Sequence, residues 1–444
     1  MFFFMRGNGQ PDDDPRWRDG AGLRWLFIDL NSYFASVEQQ LNPDLRGLPV
    51  VVRPAPSEHT CAIAASYEAK AFGVKTGTRI SDARKLCAAA NVKLAVVEAR
   101  PDVYVDVHKR IVAEIDRHLP VWKVCSIDEA ACQLTGPDRL EVNAKALARR
   151  MQAGIREHVG EWLGSSVGLA PSRFLAKAAC GMMKPNGLTV LRADALPGRL
   201  LDMPLRHFPG IGHRMEKRLA AGGVLTTEDL WNLDGHQARR LWGSIEGERL
   251  WRGLRGLDSV ETPEAPRASI SHGHVLAGSM RAPDQARAVA RRLVVKCAAR
   301  LRRMDLRGAG LGLSIDLERD TSGRWRGAGR DRRFAPTNDT FPMLRAVEEM
   351  WRELEPEMRS QRLRYVGVAV FHLNPPGAWS PDLFGWTPGA EDDARSMKLS
   401  RALDALNTRF GKDTVSIGPR PNLPDFVGAK IAFNRIPEEA EFNE

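Results

Sequence analysis

Three acidic residues stand where they could do chemistry. Asp29 closes the apolar run Trp25-Leu26-Phe27-Ile28, and Asp128 and Glu129 lie side by side in "SIDEA". An unpaired carboxylate at the end of a core strand is costly. Three of them meeting at one sheet edge would repel, and one would keep its proton. A hard divalent cation removes the conflict. Mg2+ takes carboxylate oxygens, keeps water and completes its shell with substrate phosphates; two such ions can activate an attacking hydroxyl and stabilise a leaving oxygen. Neighbouring strand residues face opposite ways, so the sequence predicts Asp29 and Asp128 as bridging ligands and Glu129 as a more peripheral one. An ordinary acidic turn is the competing reading of the same residues.

Other chemistries find less support. The six cysteines form no C-x-x-C pair, which argues against a zinc site or a disulfide framework and for reduced thiols. There is no H-E-x-x-H; His272 and His274 share a strand face and read as surface polar residues. "GSSVG" (Gly164–Gly168) fits G-x-S-x-G, but that motif needs a strand before the serine and a sharp turn into a helix. Ser166 instead begins a strand after a helix. "PGIG" (Pro209–Gly212) opens a helix and offers free N–H groups suited to a phosphate. It lacks the third glycine and the preceding strand of a dinucleotide site.

The elements that must hold these groups follow from the patterning. The chain has 444 residues, enough for several domains, and 43% hydrophobic content, enough for real cores. No stretch approaches the ~20 apolar residues of a membrane span. Strands and helices intermix up to about residue 184: strand "GLRWLFID", helix "SYFASVEQQL", helix "YEAKAFG", the amphipathic "PDVYVDVHKRIVAEIDRHL", and strands on both sides of the acidic pair. Short helices with Gly and Pro breaks follow to Asp258. "SVETPEAPRAS" reads as a linker, and a second α+β unit begins beyond it. Between residues 267 and 334 there are 16 Lys and Arg against 6 Asp and Glu, which equals the net charge of the whole chain, +10. A basic block in an otherwise neutral protein points to a polyanion; a solvated helix face is the alternative.

Taken together, "DLNSYFASVE", "YEAKAFGVKTG", "SIDEAACQLTG", "VGLAPSRFLAKAACGMMKPNG" and "FPGIGHRMEKRL" resemble, in order, the signatures of the Y-family, lesion-bypass DNA polymerases. Asn31 and "SIDEA-x-C-x-LTG" are closest to the UmuC branch, "YEAKAFGVKTG" and "KPNG" to the DinB branch. The resemblance implies an α+β right-hand polymerase: ferredoxin-like palm (22–32 and 97–184), small fingers (33–96), helix-hairpin-helix thumb (185–258), linker (259–266) and α+β little finger (267–374). Residues 1–21 read as a loose tail, and residues 375–444 as a C-terminal tail that carries one more helix, "SMKLSRALDALNTRF" (396–410).

The resemblance also implies roles. Asp29, Asp128 and Glu129, with the backbone carbonyl of Leu30, would bind two Mg2+ ions. Phe34 matches the steric gate under the sugar of an incoming dNTP, with Tyr33 beside it; without the resemblance both read as core aromatics. Tyr67, Lys70 and Lys177 would hold the triphosphate, although the family usually has Arg where Lys70 stands, and lysine lacks the bidentate fork. Pro209, Gly210, Ile211 and Gly212 of the thumb, and Arg332 and Arg333 of the little finger, would grip primer-template DNA without reading sequence. Leu383 and Phe384 in "SPDLFGW" faintly resemble the peptide by which bacterial polymerases dock on the sliding clamp, without its usual Gln. The same pair could pack on its own domain. The implied protein is a monomeric, cytoplasmic, nucleoid-associated translesion DNA polymerase, with SOS-type accessory partners. A catalytically inactive scaffold is the alternative, disfavoured because all three acids remain.

Overall fold

The computed structural model describes residues 22–54, 58, 60–257, 268–276, 278–317, 327–358, 362–375, 390–411 and 414–418. They form two compact units, one up to residue 257 and one from residue 268. The N-terminal tail, the linker, Leu383 and Phe384, and everything past residue 418 lie outside the described residues.

In the first unit, β1 (Trp25–Leu30) runs into α1 (Tyr33–Leu41). The chain then builds a small layer from β2 (Val50–Arg53), β3 (Ala64–Ala65), α2 (Tyr67–Ala71), α3 (Ile80–Ala89) and β4 (Ala95–Glu98). Its strands order β3-β2-β4, around a core including Val51, Ala69, Val74, Ile80 and Cys87. α4 (Pro101–His118), β5 (Val121–Val124), β6 (Glu129–Gln133), α5 (Glu141–Gly154), β7 (Ser165–Ala170), α6 (Arg173–Met182) and β8 (Leu188–Val190) complete the main sheet, ordered β5-β6-β1-β7-β8. Leaving out β8, this is the ferredoxin-like βαββαβ arrangement, with α4 and α5 as its two crossover helices.

Strand alternation assigns β1's two faces. Leu26, Ile28 and Leu30 enter one core with Tyr104 and Ile111 of α4 and Leu147 and Met151 of α5. Trp25 and Phe27 enter another with Leu175, Ala176 and Ala179 of α6. Asp29 therefore belongs to the face of Trp25 and Phe27. The helices α7 (His213–Ala221), α8 (Thr227–Trp231), α9 (Gly235–Trp242) and α10 (Ile245–Leu254) extend that second core. Capping boxes at Thr226/Asp229 and Asp234/Gln237 start α8 and α9. The Ser172 hydroxyl donates to the Gly253 carbonyl at 2.6 Å, tying α6 to α10.

The second unit has β9 (Ser269–Val275), α11 (Pro283–Arg303), β10 (Arg307–Leu317), β11 (Gly327–Thr337), α12 (Thr340–Met358) and β12 (Leu363–Asn374), with strand order β11-β10-β12-β9. Leu311, Leu313, Ile315, Val366 and Val368 face Val294 and Leu301 of α11 and Val347, Trp351 and Leu354 of α12. α13 (Ala390–Phe410), the helix expected from "SMKLSRALDALNTRF", also belongs to this unit and begins six residues earlier. Buried Ser400 donates to Asp339 at 2.9 Å, and Arg302 donates to both Asp404 oxygens at 2.6 and 2.8 Å. No described helix is long and apolar enough to cross a membrane.

Candidate active site

Asp29 pairs with Glu129 across β1–β6 and with Ser166 across β1–β7. Directly opposed residues of an antiparallel pair point to the same face. Glu129, the acid that strand alternation made the more peripheral ligand, begins β6 and is Asp29's immediate cross-strand neighbour. Asp128 stays in the turn. Its carbonyl accepts the Leu30 N–H at 2.8 Å, and its carboxylate accepts from Ser126 Oγ at 2.5 Å.

The acids are compensated by lysines. Lys184 Nζ lies 2.6 Å from Asp29 Oδ1, and Lys177 Nζ lies 2.7 Å from Glu129 Oε2. The Asp29 and Glu129 side chains are only 15% and 17% exposed. Burial pushes the Asp29 carboxyl up to about 6; Lys184 pulls against the rise, and Asp128 and Glu129 add to it. Even with an ammonium in contact, burial keeps this carboxyl above the ordinary carboxylate range. Among the described residues no three His, Cys, Asp or Glu side chains form a ready metal cage. The donors are carboxylate oxygens, the kind a hard cation takes, and lysines now occupy two of the three acids.

Local sequence explains how Lys184 gets there. α6 stops at Met182, and "KPNG" turns the chain back. The buried Asn31 amide, just past β1, bonds at 2.9 Å to Ser166 Oγ and at 2.9 Å to the Asn186 amide. A Cβ at Gly164 would lie 2.3 Å from Asn186 Oδ1, and one at Gly187 would lie 1.7 Å from the Met183 carbonyl, so both glycines are needed for this approach. Ser166 is fully buried and committed to Asn31, which disposes of a nucleophilic serine. Lys184 is the residue that sequence reading missed. Its signal was a cation in a Pro-Asn-Gly turn, noticed there only as a likeness to the DinB branch.

Tyr67 and Lys70 share a face of α2. Lys70 Nζ sits 4.2 Å from the Tyr67 ring centroid and donates to Ser32 Oγ at 2.7 Å. Ser32 holds a left-handed conformation (φ 49°), a strain that a non-glycine residue keeps only where its surroundings impose it. Burial lowers the Lys70 pKa and Lys184 lowers it further, while Asp29 opposes. Tyr67, Lys70 and Lys184 thus share one electrostatic neighbourhood with Asp29, whereas Lys177 stands over Phe27 and on Glu129. Phe34 is half-buried and stacks on Tyr104, ring centroids 4.4 Å apart; Tyr33 is buried and donates to the Tyr104 carbonyl at 2.7 Å.

The expected DNA-gripping residues divide. Gly210 has φ 84° and is exposed, Ile211 is buried as an anchor, and Gly212 starts α7 with no side chain on its free N–H groups. Arg332 and Arg333 sit on opposite faces of β11. Arg332 is half-buried and ion-paired to Glu353 of α12, whereas Arg333 is exposed on the other face. The basic block is also partly neutralised in place. Arg287 and Arg291 pair with Glu348, Arg330 with Glu357 and Arg302 with Asp404. The window counted in sequence ends just before α12, which carries five glutamates.

Residues 28–181 match the impB/mucB/samB family, residues 267–383 its C-terminal domain, and residues 206–258 the thumb domain of DNA polymerase iota. A DNA polymerase IV of Moorella thermoacetica is 35% identical over 399 residues, covering 88% of this chain and 94% of the relative. The chain belongs to the Y-family of DNA polymerases. A second DNA polymerase IV, from Pelotomaculum thermopropionicum, is 31% identical over 395 residues, covering 88% of this chain and 93% of its own length. The Y-family fold is shared with a Dbh–Dpo4 polymerase chimera (TM-score 0.65, 23% identity, 79% of this chain and 99% of that one) and with an insertion ternary complex of Dbh DNA polymerase (TM-score 0.50, 23% identity, 78% and 98%).

Proposed function

We propose that this Y-family protein extends a DNA primer along a template, damaged bases included, by two-metal phosphoryl transfer from a dNTP. The observation that carries the reading is the opposed, mostly buried Asp29–Glu129 pair, each acid held by one lysine ammonium. Asp29, Asp128 and Glu129, with the Leu30 carbonyl, would hold two Mg2+ ions. Such ions, when bound, supply the charge that ionises a primer 3′-hydroxyl and stabilises the departing pyrophosphate.

The chain's own residues do the rest. Lys184, released from Asp29, stands beside Tyr67 and Lys70 to neutralise triphosphate oxygens, a task in which position and charge dominate. Lys177 balances Glu129. Phe34 would sit under the deoxyribose and exclude a 2′-hydroxyl. The bare start of α7 and exposed Arg333 are suited to backbone phosphates. A sliding clamp at Leu383 and Phe384 is supported by sequence alone, as are accessory partners and a cytoplasmic, nucleoid-associated location.

Primer extension with Mg2+ tests the reading. Wild type should add dNTPs and Asp128→Ala should not, with primer-template binding retained by both. A wild-type protein that binds the duplex and adds nothing would make the chain a scaffold.

A further inference from the structure

The ring expected to judge the sugar is braced by a buried carboxylate. Phe34 and Glu38 lie four apart on α1, hence on one face, and Arg100 and Tyr104 lie four apart at the start of α4. The two pairs interlock. Phe34 stacks on Tyr104 with an interplanar angle of 16°. The Tyr104 hydroxyl donates to Glu38 Oε1 at 2.7 Å, and Arg100 donates to both Glu38 oxygens, at 3.1 and 2.5 Å. The Glu38 side chain is 2% exposed, so its charge is almost wholly removed from water and held by these two partners. Tyr104 is itself fully buried.

Three features make this more than core packing. A phenylalanine in Tyr104's place would fill the same ring volume, so the hydroxyl is there for Glu38. A buried carboxylate is an expensive way to join two helices unless it fixes an orientation. What it fixes is the plane of the one ring that touches Phe34 face to face. Tyr33 holds the same residue from the other side, donating to the Tyr104 carbonyl.

We propose that Glu38, clamped by Arg100, is a positioning residue for sugar discrimination: it locks the Tyr104 ring, and that ring locks Phe34 at the height that excludes a 2′-hydroxyl. The inference rests on the reading of Phe34 as the sugar gate. Neither Glu38 nor Tyr104 touches the nucleotide in this scheme. Loosening them widens the gate without removing it.

The test measures single-nucleotide kcat/KM for dNTP and rNTP with the full chain, for wild type, Phe34→Ala, Tyr104→Phe, Glu38→Gln and Glu38→Ala. Tyr104→Phe keeps the stack and removes one hydrogen bond to a charged group, an interaction whose loss corresponds to about a tenfold change. We expect the dNTP/rNTP ratio to fall about 3- to 10-fold in Tyr104→Phe and Glu38→Ala, with Glu38→Gln closer to wild type because its amide oxygen still accepts from Tyr104. Phe34→Ala should fall further. A purely structural role would lower both substrates together and leave the ratio unmoved. If Phe34→Ala changes the ratio but Tyr104→Phe and Glu38→Ala do not, the bracing proposal is wrong and the gate stands. If Phe34→Ala leaves it unchanged, the gate reading falls and the proposal falls with it.

Discussion

The two α+β sheets of this protein use the same connectivity, βαββαβ, for opposite electrostatic ends. In the first unit the initial strand is central, ordered β5-β6-β1-β7, so the end of β1 is flanked on both sides and Asp29 meets Glu129 and Ser166. In the second unit the initial strand β9 lies at the edge and β12 takes the inner place beside β10. The first sheet gathers acids that its own backbone cannot satisfy. The second carries arginines that its own helix answers, Arg330 and Arg332 meeting the glutamates of α12. The carboxyls show the difference. Burial holds Asp29 up to about 6 despite its lysine. Burial also acts on Glu348, but hydrogen bonds from Arg287 and Arg291 bring its pKa below the ordinary value.

The sharpest way to break this contrast is at the acids. Asp128→Ala and Glu129→Ala should each lower the rate of primer extension by about 10²- to 10³-fold, an ordinary loss when a group stabilising the transition state is removed. Glu129→Ala within about tenfold of wild type would return Glu129 to the peripheral place that strand alternation alone gives it.

Next comes pH. The Asp29 carboxyl titrates at about 6 in the folded chain against 3.8 ordinarily, so the fold binds a proton that the unfolded chain has released. Stability without metal therefore falls as pH rises between those values, the reverse of Glu348. A cation must displace that proton. Apparent Mg2+ affinity, followed by thermal shift, should weaken about tenfold per pH unit below ~6 and level off above it. A flat profile down to pH ~5 would show that Asp29 is not a ligand.

Lys184→Ala should uncover Asp29. In chelator the variant should lose about 1 to 2 kcal/mol of stability, a buried-pair loss reduced because the lysine is a third exposed. Millimolar Mg2+ should restore most of it. Equal loss with and without Mg2+ would mean that the lysine is only a structural partner.

The smallest effect separates the two arginines of β11. Arg333→Ala should weaken primer-template binding a few-fold and reduce the salt slope by about 1, whereas Arg332→Ala should leave the slope alone and cost stability. Equal slopes would place both faces of β11 against DNA.

These contrasts were unequally legible in the sequence. Asp29, Asp128 and Glu129 stood out because acids beside apolar runs are rare and costly. The strand pattern of both units could also be read, because "WLFID" and "RYVGVAVFHL" have few other ways to bury themselves. Which acid stands opposite Asp29 could not be read, since it depends on where β6 starts, a matter of cross-strand register. Lys184 was hidden because a lysine after a helix is ordinary until Asn186 and Asn31 bring the turn back to the sheet. The available charge of the second unit was overread. Coulombic partners are neighbours in space, and the glutamates of α12 lie just past the window in which the arginines were counted. Phe34 was placed by resemblance; its brace, Glu38 and Tyr104, joins residues 66 positions apart and leaves no local pattern.

One measurement bears most directly on the claim that the Asp29 cavity is a cation-dependent polymerase site. Asp29→Asn keeps the shape and removes the charge. Its single-nucleotide incorporation on a primer-template with Mg2+ should drop at least ~10³-fold from wild type, with duplex affinity intact. A variant that incorporates dNTP within about tenfold of wild type would show that the chemistry does not pass through this carboxylate.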